Sequence, residues 1–235
     1  LIDKIYSDFV CLKSLLRNLE TLRSISLTNW NSTKIEPDDL LKLKQLTSLT
    51  ISYTKLPILY NFTFINQNKL RNLDISYSKI ETIETFAFYG LINLKTLNLE
   101  SNRIKFLDNI LFQFLEKLSF LYISSFNNSF SRDTLTNQRN LIGFEMKGIH
   151  QQIIYDHSFS SCIKLQRLTI ENVNLEILEK EAFNGLSQLV DLTIKESKLK
   201  ILYNLMFVHL ENLETFEMKW SLVEIIEPFA FYGLK

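Results

Sequence analysis

The sequence predicts an α/β solenoid. It would be a right-handed horseshoe whose turns line a concave parallel β-sheet and return through an irregular or short-helical convex side. Three observations predict it. The first is a period. Leu22, Leu46, Leu70, Leu94, Leu118, Leu141, Leu165, Leu189 and Leu213 each open the same apolar pattern, 24 residues apart except for the 23 between Leu118 and Leu141. A repeat of that length marks stacked supersecondary units. The second is the spacing within one unit. In the stretch 70–93, Leu73 and Ile75 alternate across Asp74 as a short strand would, while Ile80, Ile83, Phe88 and Leu91 follow at offsets that fit no single helix or strand. A turn that runs out along a strand and comes back by a looser path has that mixed period. The third is position 19, counting each opening Leu as position 1. It holds Phe64, Phe88, Phe112, Phe159, Phe183, Phe207 and Phe231. Stacked turns would bring these rings into a spine along the convex side, each buried ring contributing roughly 1.5–3 kcal/mol.

Taken in order, residues 1–21 do not fit the strand register. Leu12, Leu15, Leu16 and Leu19 have the spacing of a helical turn or two, and Leu16 and Leu19 also fall at positions 19 and 22 of a unit ending before Leu22. The segment reads as an incomplete N-terminal repeat or a cap remnant. Residues 22–235 then form an array of nine units, truncated where the next strand would start after Lys235. The fifth unit is one residue short and carries the polar run from Ser124 to Asp133. In the sixth, Gly143 and Gly148 fall on the strand, which predicts a notch in the concave face or a bend. Gly90, Gly185 and Gly233 instead precede position 22, a turn role. Cys162 takes position 22, where Leu43, Leu91, Leu115, Leu186, Leu210 and Leu234 sit in other units, so it reads as a small buried apolar residue. Cys11 lies about six turns away, roughly 30 Å at ~4.8 Å per strand, well beyond the ~7 Å a disulfide can bridge.

The spelling LxxLxLxxxxLxxLxxxxFxxLxx resembles the leucine-rich repeat in its 24-residue typical class, and the resemblance covers Leu22 to Lys235. It implies the horseshoe fold and an Asn at position 9 that ties neighbouring turns through backbone hydrogen bonds. Here that column reads Trp30, Thr54, Ser78, Asn102, Phe126, Ile149, Val173, Ser197 and Ser221. Only Asn102 follows the rule. Ser and Thr can substitute in part; at Phe126, Ile149 and Val173 the backbone groups need other partners. The array looks like the ectodomain repeats of Toll-type receptors and their adhesion relatives. That likeness implies a protein or other large ligand on the concave face, dimerisation, and an extracellular or cell-surface setting. Such arrays carry cysteine-rich caps, and this chain has only the lone Cys11 towards one end, so either the caps have been cut away or the setting is intracellular. The segment from Ser158 to Leu165, SFSSCIKL, is similar to the AFxxCxxL repeats of microbial surface proteins and supports the alternative of a structural or adhesion scaffold.

Composition narrows the chemistry. Lys+Arg and Asp+Glu are 26 each, so nothing in the net charge favours nucleic acid or an anionic membrane surface. No apolar run approaches the ~20 residues of a bilayer span, and the first residues lack the charged and apolar regions of a signal peptide. His150, His157 and His209 have no metal-ligand spacing, and no nucleophile, phosphate-loop or Cys–His motif occurs. No enzyme activity, metal or cofactor is expected. The candidate site is the concave face, where same-numbered residues of successive turns become neighbours. Tyr53 and Tyr77 would adjoin, with Arg71 and Asp74 beside them and Asn98 and Tyr122 further along. Tyr, hydroxyls and an Arg have the make-up of a protein-binding hot spot. In the second half, Lys147, Glu171 and Lys195 alternate in sign down one column. Three N-x-[ST] sequons, at Asn31, Asn61 and Asn127, are about what chance gives in this composition. Their placement at positions 10 and 16 would keep sugars off the concave strands.

Overall fold

The computed structural model describes residues 16, 19–124, 131–148 and 151–234. Residues 1–15, with Cys11 and most of the expected helical turn, lie outside the described residues, as do Phe126, Asn127, Ile149, His150 and Lys235. Nine strands form one sheet in chain order: Ser24–Thr28, Ser48–Ser52, Asn72–Asp74, Thr96–Leu99, Phe120–Ser124, Gly143–Lys147, Arg167–Glu171, Asp191–Lys195 and Thr215–Lys219. Every neighbouring pair is parallel, so the expected horseshoe of stacked turns is what forms. Ile25 faces Leu49 and Leu49 faces Leu73, one period apart. Leu121 faces Phe144, 23 residues on. The residue missing from the fifth unit is therefore absent from its return path, and strand register is preserved. A slip within the strand would have turned its apolar residues to solvent.

The strands alternate as their sequence does. Ile25 and Leu27, Leu49 and Ile51, and Leu192 and Ile194 point into the core, while Ser26, Thr50 and Thr193 face the concave surface. The return path is irregular rather than helical. Its one helix among the described residues is the 3-10 turn Pro37–Asp39. Elsewhere three-residue spirals dominate: Ala87 N–H donates to Glu84 C=O, Leu91 to Phe88 and Leu94 to Leu91. The 19 residues between Thr28 and Ser48 must round both edges of the turn as well as cross its convex side, which leaves too short a run to sustain an α-helix. Short outer strands pair across turns, as Ile58–Leu59 does with Thr82–Ile83 and Lys198–Leu202 with Leu222–Ile226.

The spine forms. Phe64, Phe88, Phe112, Phe159, Phe183 and Phe207 are buried. Phe64 and Phe88 stack at 6.3 Å, Phe183 and Phe207 at 5.8 Å, and Phe207 and Phe231 at 5.7 Å. It is interrupted in the short unit, where buried Leu135 follows Phe112. In the next unit Phe144, at a strand position that holds Leu or Ile in most units, is buried and packs against Phe159 at 6.2 Å. Cys162 is buried as expected, and burial pushes its thiol up to about 12.

Position 9 ties turns together by several means. Asn102 Nδ2 donates to Ile75 and Leu99 carbonyls at 2.9 Å, and its Oδ1 accepts from Ser78 and Ile80 N–H at 3.0 and 3.1 Å. Ser78 Oγ reaches the Ile51 carbonyl at 2.9 Å, and Ser197 Oγ meets Ser221 Oγ at 2.9 Å. At Val173 the carbonyl accepts from Gln151 N–H at 3.1 Å, so a backbone group of the preceding turn replaces the missing side chain. Buried Gln67 and Gln138 add ties of their own, donating to the Leu40 and Phe112 carbonyls at 2.7 and 2.8 Å.

The two strand glycines part company. A Cβ on Gly143 would stand 2.8 Å from Phe120 Cδ1, so this glycine is the seat of the neighbouring ring rather than an open notch. Gly148 marks no irregularity at all. Its φ of 57° matches the φ of every other described position-8 residue.

Candidate functional site

The site grows from the point where each strand leaves the sheet. At position 8 the N–H makes one last ladder bond to the next turn: Tyr53 to Ser76 C=O, Tyr77 to Glu100, Asn172 to Lys195. The chain then swings left-handed towards the convex side. Asn29, Tyr53, Tyr77, Ser101, Gly148, Asn172, Glu196 and Trp220 all have φ between 51° and 57°. The sequence carried a signal for this in Asn29, Gly148 and Asn172, residue types that tolerate such backbone, but the conformation was not read from it. The result is a rim of outward side chains along one side of the concave face.

On that rim Tyr53 and Tyr77 meet as expected. Their rings stack at 4.7 Å with an 8° interplanar angle, and the residues are 56% and 48% exposed. The other expected members are not brought to them. Arg71 is exposed at the opposite end of its strand, six residues before Tyr77 along an extended segment, roughly 20 Å away. Asp74, Asn98 and Tyr122 face one another in register across three strands. Asp74 Oδ1, however, accepts from Ser76 N–H at 2.9 Å, and Asn98 Oδ1 from Glu100 N–H at 3.0 Å. Each side chain thus uses one oxygen to close its own strand end. Tyr122 is half-buried among them. The predicted single patch is therefore a tyrosine ledge on the rim, a polar mid-strand row and a separate arginine.

The charged half also differs from the alternating column. Lys147 pairs with Glu145 of its own strand, and Glu217 takes both Lys195, at 2.8 Å, and Lys219. Those two lysines hold the Glu217 carboxyl below the usual carboxylate range, and Glu217 in turn raises Lys195. Glu145, on the second strand beyond that of Glu100, lies near enough for its charge to act on the Glu100 carboxyl across the fifth strand, which ends in the small, buried Ser124. Burial first and the Glu145 charge second push the Glu100 carboxyl up, with Lys147 opposing. Burial works against the charge on Lys147, yet its bond to Glu145 and the charge of that carboxylate keep its pKa above the ordinary value.

The sign of the Glu100 shift sets a pH dependence. A carboxyl raised in the fold contributes stability below the ordinary carboxylate range and loses it as pH rises through its folded value. Glu100→Gln is expected to raise the urea midpoint at neutral pH and to match the wild-type protein in acid. A series of midpoints from pH 3 to pH 8 checks this, and a constant difference across the series would refute it.

Asn31 is exposed and Asn61 half-buried. Among the described residues no cluster of His, Cys, Asp or Glu could hold a metal ion, and no helix is long and apolar enough to cross a membrane.

Comparison with known proteins agrees with this architecture. A family profile described as leucine rich repeat matches residues 68–128, and one described as a BspA type leucine rich repeat region matches residues 140–235. No curated protein sequence matches the chain. Among solved structures, TLR13 in the TLR13–ssRNA13 complex superimposes with a TM-score of 0.81 at 22% identity. That match covers 88% of this chain but only 33% of TLR13. Human 5T4 (Wnt-activated inhibitory factor 1, trophoblast glycoprotein) gives a TM-score of 0.69 at 18% identity, over 93% of this chain and 81% of 5T4. At these identities the likeness is one of fold. With its two repeat profiles, its parallel sheet and its phenylalanine spine, the chain belongs to the leucine-rich repeat family and resembles the repeats of receptor ectodomains.

Proposed function

We propose that this segment is a non-catalytic binding module, the ligand-recognition region of an extracellular receptor or secreted protein, and that the Tyr53–Tyr77 ledge is its principal contact. One observation carries the reading: two bulky aromatic residues sit half-exposed on left-handed backbone. That backbone costs a non-glycine residue roughly 1–2 kcal/mol, and one stacked pair returns only about 0.5–1.5 kcal/mol. Asn or Gly fits the same position at less cost, as Asn29, Gly148 and Asn172 do. The same position also accepts Ser101, Glu196 and Trp220, so the fold does not require tyrosine here, whereas a flat exposed aromatic ledge suits a binding partner. The rim and the adjoining concave strands would read a protein or another large ligand.

Exchanging both tyrosines for Asn separates the two roles. The variant Tyr53→Asn/Tyr77→Asn is expected to keep its urea midpoint and to bind at least about tenfold more weakly to its partner. The partner is sought in a panel of purified secreted and cell-surface proteins, by surface plasmon resonance. Undiminished binding would remove the ledge from the site. A single-stranded RNA oligonucleotide belongs in the same panel, because stacked tyrosines also take bases and TLR13 was solved with ssRNA. Salt-dependent RNA binding lost in the double variant would make nucleic acid the ligand.

A second reading has one observation in its favour. The Ser158–Leu165 motif lies inside the segment that matches the BspA type profile. This supports a structural or adhesion scaffold on a microbial surface, in which the ledge would have no dedicated partner.

A further inference from the structure

The return path of the second to fourth turns carries an aromatic patch that neither the spine nor the rim uses. Phe62 and Phe86 lie parallel, 5.8 Å apart at 3°. Tyr89 stands edge-on to Phe62 at 5.8 Å, and Phe114 meets Tyr89 at 5.2 Å and Phe86 at 6.0 Å. Phe62, Phe86 and Tyr89 are exposed, as are the nearby Ile65 and Ile92. A contiguous apolar surface of this kind marks a place that something covers.

Asn61 stands at its margin. Its Oδ1 accepts from Phe86 N–H at 2.8 Å, and its own N–H donates to Glu84 Oε2 at 2.6 Å. The side-chain amide oxygen is thus tied to the backbone of Phe86, whose ring lies parallel to that of Phe62, the next residue in the chain. Asp156, in the same position four turns on, accepts from Glu181 N–H at 2.6 Å without a sequon or such rings. The inter-turn bond is therefore structural. What the second turn adds is an amide nitrogen, the Asn61-Phe62-Thr63 sequon and the aromatic surface beside it.

We propose that Asn61 bears an N-linked glycan whose first sugar lies with its apolar face on the Phe62–Phe86 rings, so that carbohydrate covers the patch. The proposal rests on the extracellular reading above. In the attachment step Asn61 Nδ2 bonds to C1 of a lipid-pyrophosphate-linked oligosaccharide. The C1–O bond breaks, the lipid pyrophosphate leaves with the electron pair, and one amide proton is released. Oδ1 is not consumed, so its bond to Phe86 survives. Thr63, whose hydroxyl the sequon requires, is buried and donates to Tyr60 C=O at 2.8 Å, so attachment precedes closure of this turn. The C–H groups on one face of a pyranose carry partial positive charge and meet the negative face of a phenyl ring.

The test expresses the chain through a eukaryotic secretory pathway and maps occupancy by mass spectrometry, with the exposed sequon at Asn31 as internal reference. Asn61 is expected to be occupied. Its glycan should resist amidase release from the native protein about tenfold more than in Phe86→Ala, roughly the effect of 1.4 kcal/mol of protection. If Phe86→Ala fails to be secreted, Phe62→Ser serves, since it keeps the sequon. Asn31 occupied with Asn61 empty overturns this proposal and leaves the extracellular reading standing; both empty after secretion overturns it too. Equal release rates in wild type and variant overturn the stacking. So does a patch substitution that changes the oligomeric mass by light scattering, which would assign the patch to a second copy.

Discussion

Phe88→Ala is expected to cost about 3–5 kcal/mol of stability, the range for emptying an aromatic site in a rigid core. Phe88 is fully buried and stacks on Phe64 at 6.3 Å. The cavity cannot close by collapse. Register on the concave side holds Asn72 to Thr96, and the outer pair holds Ile58 to Thr82, so both walls of the turn are pinned. The lesion also weakens two interfaces, because an inner unit contacts a neighbour on each side. Phe231→Ala is the matched control. Its ring is 43% exposed and has a described ring neighbour in the spine on one side only, at Phe207. Its loss should stay near 1–2 kcal/mol. Urea unfolding of the two variants decides the point, and equal losses would mean that the rings do not act as a spine.

Gly90→Ala should be nearly as damaging, about 2–5 kcal/mol, though it adds only one methyl group. A Cβ there would lie 2.6 Å from Ile65 O, 2.7 Å from Ile65 Cα and 2.8 Å from Ile65 C. These are backbone atoms of the preceding turn, which no rotamer change can move aside. The φ of +99° adds strain that an L side chain rarely tolerates. Roughly 1–2 kcal/mol for the backbone and 1–3 kcal/mol for overpacking give the range. A thermal shift below that of a surface control such as Lys69→Ala would show that the turns are not in contact at this point.

Much of this was legible in the chain itself, for a particular reason. A repeat presents each position nine times, so the strand register, the Phe64–Phe88 stack and the burial of Cys162 could be read as columns. The Tyr53–Tyr77 contact followed in the same way, since both occupy one position in adjacent turns. Column reading fails where a side chain leaves its column. Glu145, at a different position two turns on, acts on Glu100 through its charge. Asp74 and Asn98 each accept a bond from backbone two residues on, a contact within one turn that columns do not reveal. Arg71, close to Tyr77 in sequence, stands at the opposite end of its strand because an extended segment separates them.

The sequence by itself determined the period, the parallel sheet and the identity of the core residues, because alternation and spacing decide which atoms can leave water. Only the tertiary structure decided what the exposed residues do. The left-handed exit at position 8 turns Tyr53 and Tyr77 onto a rim, and the return path gathers Phe62, Phe86, Tyr89 and Phe114 from unlike positions into one surface. Those outcomes depend on backbone dihedrals and on contacts between turns, and neither is written in hydrophobic periodicity.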